Sequence, residues 1–215
     1  MQYSELHCIT NFTFLRGASH PHELVTMASN LGYRALAITD ECSLAGVVKA
    51  HVATFNRNIK LIIGSEFKID SHKVIVLVTN RNSYSKLSSL ITLARRRSKK
   101  GSYQIKWSDL KFNNDGLLII WLPCGDFKKD QLIISQLHDW FEKRLWIGFH
   151  NLLNGTETSH LSYLQKLSLL WKVNVVACGD VHMHKKDRQP PVSYTHLRAH
   201  ETREERGIRL LREKK

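Results

Sequence analysis

The chain alternates short apolar runs with stretches of helical hydrophobic period, and this rhythm restricts its fold more than any other feature. Runs at 4–8, 35–39, 60–66, 74–79, 117–122, 145–149 and 173–178 read as strands. Most are continuous rather than alternating, as expected for parallel strands covered on both faces. Helical patterns fall at 21–31, 43–55, 83–97, 131–141 and 159–171. In the first of these Leu24, Ala28 and Leu31 follow i, i+4, i+7, with Ser19 placed as a cap and Pro21 in the first turn. Repeated β–α units of this length predict a parallel α/β fold, either a closed barrel or a doubly wound sheet. No internal repeat or low-complexity linker divides the body, so residues 1–189 read as one domain.

A length of 215 residues, 42% hydrophobic and 24% charged, is that of a globular chain with a proper core. No apolar run approaches the roughly 18 residues of a membrane span, which excludes a membrane partner of that kind. The start, MQYSELHC, lacks the basic-then-apolar form of a signal peptide. Cys8, Cys42, Cys124 and Cys178 lie far apart with no C-x-x-C pair, which predicts reduced thiols in a cytoplasmic protein rather than a zinc ribbon.

Lys and Arg number 32 against 19 Asp and Glu, a formal charge of +13, and this points to a polyanionic partner. The densest basic run is Arg95, Arg96, Arg97, Lys99 and Lys100, ahead of Gly101. It closes a helical pattern carried by Leu87, Leu90, Ile91 and Ala94. Two readings stand: a solvated helix end stopped by Gly101, or a phosphate-contacting nucleic-acid patch. After Arg188 and Pro190-Pro191 the character changes. Residues 192–215 hold seven basic and four acidic side chains and few apolar ones. Residues 190–215 therefore read as a charged, poorly packed C-terminal tail.

In parallel α/β folds reactive groups gather at the carboxyl ends of strands. Here those ends carry His7-Cys8, Asp40-Glu41, Ser65-Glu66, Pro123-Cys124 and Asp180-Val181-His182, with His184 following. Mixed imidazole and carboxylate ligands suit zinc, manganese or iron, and a cluster of such ions activates water against a phosphate ester. His20, His22, His51, His138, His150 and His160 read as structural. His72 is better placed, and His184 is either a ligand or a residue that orients one.

Longer motifs add a family. Residues 5–21 (ELHCITNFTFLRGASHP), 32–48 (GYRALAITDECSLAGVV), 91–101 (ITLARRRSKKG) and 179–184 (GDVHMH) resemble the N-terminal region of bacterial error-prone DNA polymerases of family C, relatives of the polymerase III alpha subunit. The resemblance covers residues 1–189 and implies a PHP (polymerase and histidinol phosphatase) domain, a distorted (β/α)7 barrel. In active members a divalent-metal cluster, zinc or manganese, hydrolyses phosphate esters at the strand ends. By position His7 is the first histidine of an H-x-H motif, Asp40 belongs to T-D-H, Glu66 to G-x-E, and Asp180 with His182 to D-x-H. Cys124 falls near a ligand cysteine of some members.

Two departures stand out: Ile9 replaces the second histidine of H-x-H, and Glu41 replaces the histidine of T-D-H. The resemblance thus implies a supporting barrel inside a longer DNA polymerase, whose catalytic carboxylates belong to a palm domain beyond this stretch. DNA, through the parent enzyme, and the remaining polymerase domains in cis would be its partners. The alternative is an active metal-dependent phosphoesterase or 3′–5′ exonuclease. Residues 191–202 resemble translated adapter sequence rather than a continuation of the domain.

Overall fold

The computed structural model describes residues 3–112, 114–150 and 157–188. Its strands are β1 Ser4–Glu5, β2 Ala35–Ile38, β3 Lys60–Ile69, β4 His72–Val78, β5 Leu117–Leu122, β6 Leu145–His150 and β7 Val175–Cys178, and they form one sheet in chain order. Past the regular strands a parallel bridge between Cys8 and Val181 joins the two edges. Ile9 N donates to Val181 O and Val181 N to His7 O, both at 2.9 Å. The sheet thereby curls into a nearly closed barrel. Around it lie α1 Pro21–Asn30, α2 Val47–Thr54, α3 Arg81–Arg96, α4 Trp107–Lys111, α5 Phe127–Phe141 and α6 Glu157–Trp171.

One strand breaks the parallel pattern expected from the apolar runs. β4 runs antiparallel to both β3 and β5. Only Asp70 and Ser71 separate Ile69 from its partner His72, and two residues make a hairpin but never a parallel crossover. Side chains then alternate along β4. Ile75 and Leu77 join Ala37, Ile120, Leu122 and Cys178 inside the barrel. Val74 and Val76 face outward, where Leu87 and Leu90 of α3, Ile134 and Leu137 of α5, and Leu164 and Leu167 of α6 cover them. A second outer cluster seats Leu24, Val25 and Ala28 of α1 and Ala50 of α2 on Leu36 and Ile38 of β2. Each fully buried Val, Leu or Ile among these contributes about 1.5–3 kcal/mol. Both faces of the sheet being covered is the physical reason its strands read as unbroken apolar runs.

Element ends follow local chemistry more than periodicity. α1 starts at Pro21 as expected, but its cap is His20, whose backbone N–H donates to Glu23 Oε2 at 2.8 Å. Ser19 turns away, its Oγ lying 2.7 Å from His184 Nδ1. α3 stops at Arg96, and Gly101 (φ 92°) belongs to a turn beyond it rather than ending the helix. No described helix is long and apolar enough to cross a membrane. The tail expected at 190–215 lies outside the described residues.

One polar node ties the outer layer to the barrel. Asp130, wholly buried on α5, accepts from His72 Nε2 (2.9 Å), Tyr163 OH (2.5 Å), and the amides of Cys124 and Gly125 (3.0 Å each). Burial would raise this carboxyl, yet the bonds from His72, Tyr163 and Cys124 hold it down to about 2. Asp130→Ala strips the buried His72 ring and the Tyr163 hydroxyl of their partner and should cost about 2–4 kcal/mol in denaturant unfolding. Tyr163→Phe, which removes one bond to the charged carboxylate, should cost less, about 1.5 kcal/mol. Equal losses would mean that the node does not act through its hydrogen bonds.

Candidate functional site

The loop after β1 is drawn onto Asp40, at the end of β2. Thr10 N (2.7 Å), Thr10 Oγ1 (3.0 Å) and Thr13 Oγ1 (2.8 Å) converge on Asp40 Oδ1, and the Gly46 amide donates to the same carboxylate. A Cβ on residue 46 would lie 2.6 Å from Asp40 Oδ2, so glycine is needed for this approach. Burial still pushes the Asp40 carboxyl above its ordinary value. With its lone pairs taken up by hydroxyl and amide donors, Asp40 organises the loop.

The same loop delivers a cation. Gly17 packs so tightly that a Cβ would fall 1.9 Å from Thr10 O, and Leu15 sits at φ 67°, a left-handed conformation that costs an ordinary residue about 1–2 kcal/mol. Between them Arg16 reaches across the barrel mouth. Its Nη1 lies 2.6 Å from Glu41 Oε2 and 2.5 Å from Glu66 Oε1, and its Nη2 lies 3.2 Å from Glu66 Oε2. Glu66, on β3, is wholly buried and also meets His7 Nε2 at 2.7 Å. Burial alone would raise the Glu66 carboxyl, but hydrogen bonds from His7 and Arg16 hold it well below the usual range. Tyr103 OH donates to Glu41 Oε1 at 2.8 Å.

On the far side His7 Nδ1 lies 3.1 Å from His150 Nε2 and 3.5 Å from Asp180 Oδ1. Asp180 follows β7 at φ 48°. It is met by His182 Nε2 at 3.0 Å and by Lys73 Nζ, from β4, at 3.3 Å. Burial opposes its ionisation, but the His182 bond and the charges of His7 and Lys73 keep it far below the usual carboxyl range. His150, at the end of β6, is lowered to about 4 by burial and by the charge of His7, so it is neutral at pH 7.

His7, Glu41, Glu66, Asp180 and His182 thus come together at one mouth, while Asp40 bonds to the loop that carries Arg16. Three members of the site were not anticipated. His150 carried the same signal as the others, a ligand residue at a strand end, and only its isolation in the sequence hid it. Arg16 and Lys73 carried no signal, because a cation is not a metal ligand. Cys124 is an exposed residue beyond β5 and groups instead with His72 and Asp130 in the outer layer. His184 is held by Ser19.

Among the described residues two trios offer candidate metal ligands with atoms within 4.8 Å of one another: His7, His150 and Asp180, and His72, Cys124 and Asp130. A multi-ion cluster at the mouth is another matter. Ile9 is fully buried hydrocarbon. The charges of Glu41, Glu66 and Asp180 are already balanced by Arg16, Lys68 and Lys73. Like unit charges about 4 Å apart repel by about 4 kcal/mol in a medium typical of protein surfaces, and a divalent ion beside Arg16 doubles that. Several ions do not fit these residues as they stand.

The basic run divides in two. Arg95 is built into the fold: its Nε and Nη2 donate to Cys42 O at 3.2 and 3.1 Å, and its guanidinium lies 5.4 Å from the Tyr103 ring centre. Arg97 pairs with Asp109. Arg96, Lys99 and Lys100 are exposed and have no ion-pair partner among the described residues.

The profile of the PHP domain matches residues 5–145. An error-prone DNA polymerase of Saccharophagus degradans is 45% identical over 212 residues, covering 98% of this chain and 21% of that protein. Its counterpart in Methylococcus capsulatus is 46% identical over 190 residues, covering 87% and 18%. The chain therefore spans about a fifth of the length of these curated relatives. Among solved structures, a protein of Bifidobacterium adolescentis described as a metal-dependent phosphoesterase superposes with a TM-score of 0.62 at 16% identity, covering 90% of this chain and 96% of the other. An amidohydrolase of Chromobacterium violaceum gives 0.56 at 16% identity, covering 84% and 87%. These two likenesses show the fold.

The charged mouth makes stability depend on pH. Below about pH 6.5 unfolded His150 takes up a proton that the folded residue refuses until about 4. Glu66 and Asp180, depressed in the fold, add to the same trend once unfolded carboxyls protonate below about pH 5. At His150, Glu66 and Asp180 the unfolded chain binds more protons, so their contributions to stability fall with falling pH, while Asp40, raised by burial, opposes them in the carboxyl range. Between pH 7 and 4 the His150 share is on the order of 3 kcal/mol. Melting curves of His150→Gln should lose the limb above pH 5 and keep the steeper one below it, whereas a wild-type profile flat from pH 7 to 4 would contradict this picture.

Proposed function

The chain belongs to the PHP domain family, and from that premise we propose that it is the N-terminal barrel of a cytoplasmic error-prone DNA polymerase, supporting the polymerase rather than hydrolysing phosphate esters. The observation that carries this reading is the 45% identity to an error-prone polymerase along 98% of the chain. Ile9, the Arg16 bridge and the saturated Asp40 favour support over hydrolysis. The remaining polymerase domains in cis are its partners, and DNA reaches it through the parent enzyme. In the full-length polymerase containing this barrel, Asp180→Ala should leave nucleotide incorporation unchanged, while deletion of residues 1–189 should abolish soluble enzyme. Normal activity after the deletion would sink the supporting role.

A second reading, a metal-dependent phosphoesterase or 3′–5′ exonuclease using zinc or manganese, draws on the convergence of His7, His150, Asp180 and His182. The purified chain with manganese or zinc is expected to leave both a nitrophenyl phosphodiester and a mismatched 3′ primer end intact. Chelator-sensitive turnover that disappears in Asp180→Ala would establish the second reading instead.

For DNA contact we propose Arg96, Lys99 and Lys100 rather than the whole basic run. Replacing all three by Ala should reduce the slope of log affinity against log salt by about 2–3. Arg95→Ala should lower the melting temperature, since that side chain holds the backbone at Cys42. An unchanged salt slope in the triple variant would mark the run as a solvated helix end.

A further inference from the structure

We propose that Arg16, assisted by Lys73, stands in for metal ions in this barrel, so that the mouth is assembled by the chain's own cations and is indifferent to divalent metal. The guanidinium does what an ion between carboxylates would do. One Nη1 bridges Glu41 and Glu66 at 2.6 and 2.5 Å, Nη2 completes a fork on Glu66 at 3.2 Å, and the same Nη2 lies 3.9 Å from Asp180. Lys73 meets the other oxygen of Asp180 at 3.3 Å.

This is not a surface ion pair. The Glu66 side chain is fully buried, and that of Arg16 is only 15% exposed. A forked arginine on a buried carboxylate is the strong, geometrically defined form of the interaction. Nor can the arginine swing aside freely. The turn that carries it is fixed by Leu15 in a left-handed conformation, by Gly17 against Thr10, and by the threonine bonds to Asp40. The donors that an ion would need stand close by: His7 lies 2.7 Å from Glu66, and His7, His150 and Asp180 hold ligand atoms within 4.8 Å of one another. Removing the guanidinium should therefore create an anionic, metal-responsive site in a barrel that lacks one.

The inference rests on reading the barrel as a support. Phosphate-ester turnover by the wild-type chain would overturn that reading, whereas metal content and melting temperature report the substitution itself. Wild-type protein purified without chelator should carry no stoichiometric metal and should melt at one temperature in EDTA, zinc or manganese. Arg16→Gln should melt several degrees lower in EDTA, regain the loss with zinc or manganese, and bind the ion stoichiometrically. Arg16→Lys, which keeps the charge, should stay indifferent to metal. Should Arg16→Gln fail to fold in chelator, recovery on refolding with zinc or manganese supports the proposal and failure to recover overturns it. Stoichiometric metal in the wild type with a chelator-sensitive melting point overturns it too, as does a folded, metal-indifferent Arg16→Gln.

Discussion

An ionised carboxylate out of reach of water has to be satisfied by the protein around it, and Glu66 imposes that demand on the whole barrel mouth. Breaking such a buried pair by deleting one partner typically costs about 3–5 kcal/mol. Its two partners come from the segment that follows β1, His7 at the strand end and Arg16 from the loop. Glu66 N also donates to Thr39 O at 3.2 Å, and Cys42 N donates to Glu66 O at 2.8 Å, which brings the end of β2 alongside. The closing bridge between Cys8 and Val181 then sets Asp180 beside His7. Once Glu66 is buried, the ends of β1, β2, β3 and β7 have little freedom left relative to one another.

Buried ion pairs are weak evidence for stability, because desolvation offsets much of the attraction, and their best-attested role is to specify one arrangement. The backbone at the mouth fits that role. Leu15, Cys42 and Asp180 all hold left-handed conformations there, each of which costs energy that the surrounding contacts must offset. Asp40 is the fourth carboxylate of the region, and its environment differs in kind. It meets threonine hydroxyls and amides instead of charges, so it anchors the loop while Glu41, Glu66 and Asp180 share the cations.

How far these features could be read from the sequence depended on whether they rest on periodicity or on proximity. The apolar runs predicted the strands closely: 117–122 is β5, and 145–149 is β6 less its last residue, His150. Standing alone just past that run, His150 reads from the sequence as an isolated residue rather than as a strand-end ligand. The reversal of β4 is not legible in its apolar pattern, because a strand covered on both faces looks the same in either direction; the cue is the short gap between the runs at 60–66 and 74–79, too short for a parallel crossover. Strand ends and motif spacing mark His7, Asp40, Glu66 and Asp180, and the structure brings them close together. Arg16 sits in the quoted motif but was passed over, since its role exists only once Glu41 and Glu66 lie beside it. Cys124 does follow a strand end, but the structure groups it with His72 and Asp130 rather than with His7 and Asp180.

The formal charge of +13 behaves similarly when traced to places. Its densest run looked like a single patch, yet the structure takes Arg95 for the backbone at Cys42 and Arg97 for Asp109. Arg16, Lys68 and Lys73 are drawn inward to balance the mouth. Arginine suits the buried position because its planar fork satisfies two carboxylates at once and is less strongly hydrated than an ammonium, which suits the half-exposed rim at Lys68. A basic composition is therefore not by itself a nucleic-acid signature in this chain. Part of the excess neutralises an acidic site inside the barrel, and only the cations left unpaired, Arg96, Lys99 and Lys100 among them, remain for a phosphate backbone.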